Sequence, residues 1–106
     1  IEFAVMIRSA KMKRSAPLHK AIADSLVVMS RFWSASDFEG RAQAEHDELL
    51  KLMLASPAEE ARALARRAFK SMASANQAHA RELFSTFSPS VQRSVAAEVP
   101  GFSSPS

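Results

Sequence analysis

Apolar residues recur along this chain every three to four positions, the period of helices rather than of strands. Around Glu45-His46, residues Ala42, His46, Leu49, Leu50 and Met53 share one face, so an imidazole lies on a stripe of apolar side chains and should point towards a core or cavity. A second stripe runs through His19, Ile22, Leu26, Met29 and Trp33, and a third through Ala61, Leu64, Ala68, Met72, Ala75, His79 and Leu83. The opening run Ile1 to Ile7 has only Glu2 as a polar residue and fits a buried helix or a strand by pattern alone. No second strand is evident to pair with it, so helix is the expectation.

Caps and breakers set the expected boundaries. Pro17 suits the first turn of a second helix running to about Trp33. Ser34-Ala35-Ser36-Asp37 offers hydroxyl and carboxylate caps for a third, which continues to about Ala55 despite Gly40 in its first turns. Ser56-Pro57 with Glu59 and Glu60 starts the fourth and longest helix, which meets no breaker before Pro89. Ser88-Pro89 repeats the signal for a short helix carrying Val91, Val95 and Ala96, which Pro100-Gly101 ends. The pattern predicts an all-α fold, an antiparallel bundle of about four to five helices over residues 1–99, with 100–106 as a flexible tail.

Composition narrows the class. With 106 residues, 47% hydrophobic and 24% charged, the chain can bury the core of one modest domain. Two glycines and no tyrosine favour helices further, and no Asn-Gly or Asp-Gly dipeptide offers a hairpin turn. The absence of cysteine removes disulfides and thiolate metal sites and fits a reducing, cytoplasmic location. No apolar run approaches the roughly 18 to 20 residues of a membrane span, and the N-terminus lacks the pattern of a signal peptide. Beginning at Ile1 rather than methionine suggests a processed, trimmed or internal start.

The net charge of +3 is mild, so clustering decides its meaning. Lys11, Lys13 and Arg14 group before Pro17, while Arg62, Arg66 and Lys70 form a stripe with Arg67 beside it. Neither patch interleaves aromatics, and Glu59 and Glu60 partly balance the stripe. Both read as solvated helix faces rather than as a nucleic-acid footprint.

Phe3-Ala4, Glu45-His46 and Ala68-Phe69 carry a family resemblance. With their intervals, the region from about Glu2 to Met72 resembles the ligand-binding (FCD) domain of GntR-type transcriptional regulators. That family places a Phe-His pair on one helix, a Glu-His followed by aliphatics on a later one, and a His-Leu pair at the end of an alanine- and arginine-rich helix. Its metal centre uses three histidines and an aspartate four residues before the first. Ala4 and Ala68 stand here where two imidazoles would be, and the aspartate position falls before Ile1. With only His46 retained, the resemblance implies a lost metal site and no cofactor, because one imidazole cannot complete a zinc-type shell.

Two roles stay open for His46: a structural one, or lining a cavity for an organic ligand. Ligands of the resembled family are often acids, so His46, with Arg8 or Arg41, is the candidate site for the carboxylate of a small metabolite. Both arginines fit the surface equally well. His19 reads as a boundary histidine bonded to a backbone carbonyl or water. His79 lies about three turns beyond Ala68, roughly 16 Å along a helix, too far to share a site with His46. Asp47 and Glu48 are expected on the solvent side. No Ser-His-Asp spacing and no Gly-rich phosphate loop is present, so the chain does not read as an enzyme. A haemerythrin-like di-iron centre fails on ligand count.

The function implied by the resemblance is effector sensing and dimerisation within a transcriptional regulator, with DNA read only through a winged helix-turn-helix absent from this chain. A homodimer is the expected assembly, with Trp33, Phe32 and Phe38 as contact residues or, alternatively, as core. The competing expectation is a small helical interaction or structural protein with no small-molecule ligand, because alanine-rich amphipathic helices look alike for compositional reasons.

Overall fold

The computed structural model describes residues 3–12, 15–30, 41–99 and 102, and its regular structure there is entirely helical: α1 Phe3–Met12, α2 Ala16–Ser30, α3 Arg41–Leu54, α4 Glu59–Ala75, α5 Gln77–Ser85 and α6 Pro89–Glu98. From Phe3 onward the opening run is helical, as expected from its lack of a pairing strand. None of the described helices is long and apolar enough to cross a membrane. The expected caps at Ser34 to Asp37, the residues Gly40, Phe32, Trp33 and Phe38, and Pro100-Gly101 lie outside the described residues.

Helix α4 pairs most closely with α2, while α3 packs on both α1 and α4. Alanines keep the facing surfaces thin, with Ala23 on α2 and Ala61, Ala65 and Ala68 on α4 all buried. Leu26, Leu49, Leu50, Met53, Phe69 and Met72 fill the space between the helices and lie fully out of water. Each such side chain contributes about 1.5–3 kcal/mol by leaving water. Among the described residues the stripes read from the sequence are those that the fold buries, apart from the exposed Ala75 and the partly buried Met29, Leu64 and His79; Ala42 and Trp33 lie outside the described side chains.

An aromatic cluster closes one end. Phe69 lies 5.6 Å from Phe87 and 5.2 Å from Phe102 between ring centroids, and Phe84 lies 6.0 Å from Phe87 and 5.2 Å from Phe102. Such edge and tilted contacts add to simple burial. Phe102, assigned from the sequence to the tail, is therefore a packed residue.

Three expectations about the helices need correction. The long fourth helix is two helices, because α4 stops at Ala75 and Asn76 serves both ends. Its backbone leaves the helical region (φ −148°, ψ 83°), its N–H still donates to the Met72 carbonyl, and its Oδ1 accepts from the His79 N–H at 3.2 Å. The described residues thus form six helices rather than four to five. The second correction concerns Ser56, which does not cap the first turn of α4. Its Oγ accepts from the Ala58 N–H at 3.1 Å, closing a small turn, and the helix begins at Glu59. At α6 the same type of signal works as written, with Pro89 in the first turn and Ser88 Oγ accepting from the Val91 N–H.

The third correction is Arg66, expected on a solvated face but buried. Its Nε lies 2.9 Å from Glu98 Oε2, its Nη2 3.2 Å from Glu59 Oε1, and its Nη1 donates to Ser94 Oγ at 3.3 Å. The guanidinium therefore fastens α6 to α4. Burial alone would lower its proton affinity, but the hydrogen bonds and charges of Glu98 and Glu59 outweigh that and hold it above the ordinary value. Hydrogen bonds from Arg62 and then Arg66 hold the Glu59 carboxyl below the usual range. The exposed pairs Lys11–Glu48 and Lys20–Glu60 join α1 to α3 and α2 to α4 but add little.

Candidate functional site

Helical periodicity turns His46 inward, and the fold keeps it there at 1% exposure, on the same helix as Leu49, Leu50 and Met53. Its next neighbour Asp47 is not the solvated carboxylate that the sequence suggests, since only 15% of its side chain is exposed. Asp47 Oδ1 lies 3.3 Å from His46 Nδ1, and Oδ2 lies 2.8 Å from His79 Nε2. An ionised carboxylate only accepts, so each imidazole presents an N–H to it. One aspartate on α3 thus joins a buried ring to a second histidine 32 residues further on.

That junction overturns the separation expected between His46 and His79. The estimate of roughly 16 Å assumed one straight helix through both Ala68 and His79. The break at Asn76 removes that assumption: α5 is a separate helix, and its His79 meets Asp47 of α3. The available signal was Asn76 itself, an Asn followed by a new helical face, which is a helix-start residue when proline and glycine are absent.

The remaining candidates fall elsewhere. Arg8 is exposed on α1. Arg41 opens α3, with its side chain outside the described residues, as is that of Ala4. Ala68 is buried on α4. No group of three or more histidine, aspartate or glutamate side chains among the described residues is arranged to hold a metal ion.

His19 makes a separate polar junction. Its Nε2 donates to the Ala10 carbonyl at 3.2 Å, which leaves Nδ1 of the neutral ring to accept from the Ser56 hydroxyl at 2.6 Å. Ser56 Oγ in turn accepts from the Ala58 N–H, and the Ser56 carbonyl accepts from Arg62 Nη1 at 2.6 Å. A single imidazole therefore ties α1, α2 and the α3–α4 turn together. The carbonyl partner was legible from the apolar stripe; the serine, 37 residues away, was not.

Beside Asp47 lies an open groove of about 510 Å³, bordered by Ala44, Lys51, Leu52 and Ala55 from α3 and its end, by Lys11 of α1, and by Leu83 and Thr86 from the end of α5. Compared with family models, curated proteins and solved structures, the chain matches none. Chemically, the arrangement can hold protons at two imidazoles on either side of one carboxylate, and it can link a core position to a surface groove.

Proposed function

We propose that the chain is the effector-sensing and dimerisation part of a transcriptional regulator of the GntR type, responding to a small carboxylic acid without a metal ion and acting on DNA through a separate winged helix-turn-helix. The observation supporting this reading is the junction of His46, Asp47 and His79. The histidine singled out by the family register is buried, and a carboxylate links it to a partly exposed histidine in the first turn of α5, the helix that Asn76 caps. A buried polar group of this kind costs stability unless satisfied, so its presence in an alanine- and leucine-rich interior favours a functional purpose. In operation, an acid bound near this junction would favour one of two arrangements of a dimer, and the DNA-reading module would respond to that shift.

A second reading, a helical interaction protein without a small-molecule ligand, draws on the other polar groups. His19 and Arg66 are engaged in ties between helices, which is work that a purely structural protein also needs. Thermal melting with a panel of organic acids, and separately with zinc and nickel, divides the readings. The sensor reading predicts stabilisation by at least one acid, about 2.7 kcal/mol at a hundredfold excess over its Kd, and none by metal. Stabilisation by zinc or nickel would overturn the metal-free reading, and no response to any acid would favour the interaction protein.

A further inference from the structure

Folding leaves three large apolar side chains exposed among the described residues: Val5 at 48%, Met12 at 77% and Val28 at 51%. All three lie on α1 and α2. On α1, Val5, Arg8 and Met12 fall at i, i+3 and i+7, so they share one outward face. On α2, Ala21, Asp24 and Val28 repeat that spacing on an exposed face of their own. Each stripe spans about 10 Å between two apolar ends, with a single charge near its middle.

The two charges are opposite. The other acidic and basic side chains described on these helices are Lys11 and Lys20, and both are committed within the chain, to Glu48 at 2.9 Å and to Glu60 at 3.3 Å. Arg8 and Asp24 are exposed. Whichever way an α1 stripe runs along an α2 stripe, apolar ends meet apolar ends and Arg8 meets Asp24. Like stripes do not fit, since α1 on α1 sets Arg8 beside Arg8 and α2 on α2 sets Asp24 beside Asp24.

We propose that these stripes form the contact between two copies of this chain, with α1 of each lying along α2 of the other. A two-fold axis makes the contact twice, and the doubling matters because one pair of short stripes is small beside the roughly 1,200–2,000 Å² that a stable interface buries. The inference rests on the dimerisation part of the sensor reading and deepens it by naming the surface.

Sedimentation velocity of the full chain over a concentration series tests this. The wild type should show a monomer–dimer equilibrium with a limiting mass near twice 11.6 kDa. Arg8→Glu and Asp24→Arg each set like charges face to face at both contacts, and each should weaken dimerisation at least about tenfold. The variant carrying both substitutions restores opposite charges and should recover most of the loss. Both positions are exposed, so the circular dichroism of every variant should match the wild type. Dimers that persist unchanged in both single variants, a double variant no better than either single one, or assembly growing beyond the dimer would overturn the proposal. In the first case dimerisation stands and its surface lies elsewhere, whereas a wild type that stays monomeric removes both. If the charge swap rescues the dimer while no organic acid shifts its melting, the surface stands and effector sensing falls.

Discussion

At the scale of single residues, buried polar groups here earn their positions through more than one bond. Ser56 shows this most clearly, since its hydroxyl donates to His19 while accepting from the Ala58 N–H. Ser56→Ala removes both and leaves a buried ring nitrogen and an amide without that partner. The expected loss is about 1–3 kcal/mol of unfolding free energy by denaturant titration, against almost none for an exposed serine such as Ser90. Glu59 carries the clearest pH signature. Its folded carboxyl is held below the ordinary value of 4.5 by Arg62 and Arg66, so its stabilising effect is present above that value and is lost as pH falls through the lower folded one. Glu59→Gln should accordingly melt below the wild type at neutral pH, with the two melting temperatures converging as the solution is acidified towards pH ~3. A constant gap across that range would mean that the ion pairs contribute nothing.

At the scale of elements, Asn76 decides where the candidate site is. It ends α4, starts α5 and thereby brings His79 to Asp47. Asn76→Ala should cost about 1 kcal/mol, the usual worth of an N-cap, and should speed amide exchange at His79, whose N–H loses its acceptor. If α4 and α5 instead fused into one helix, circular dichroism would show a gain in helicity with no loss of stability. The helices themselves were largely legible in the sequence, because stripes such as His19, Ile22 and Leu26, or His46, Leu49, Leu50 and Met53, follow one physical period and are buried as a unit. What escaped has equally physical reasons. An asparagine in an alanine-rich stretch is only a mildly poor helix residue, so the signal at Asn76 is weak beside a proline or glycine and is outweighed by the continuous apolar stripe around it. Arg66 lies on a polar-looking stripe, and its burial depends on Glu98, 32 positions later on another helix, which no local pattern contains.

At the scale of the whole molecule, one core and one aromatic end hold the six helices together. Phe69 joins the two, being fully buried and touching both Phe87 and Phe102. Phe69→Ala should therefore cost about 3–5 kcal/mol, a large share of the stability of a domain this size, and should broaden or abolish a single melting transition. The proposed homodimer is checked by size-exclusion chromatography with light scattering, where the sensor reading predicts a mass near twice 11.6 kDa and a monomer at all concentrations would count against it.

The claim on which the functional reading depends is that His46 is held inside the bundle and joined through Asp47 to His79. Long-range proton–nitrogen correlation spectra of the imidazole rings measure this most directly. The structure predicts a protonated Nδ1 for His46 and a protonated Nε2 for His79, both protected from exchange and both shifted together by Asp47→Asn. Two freely exchanging rings that ignore that substitution would contradict it.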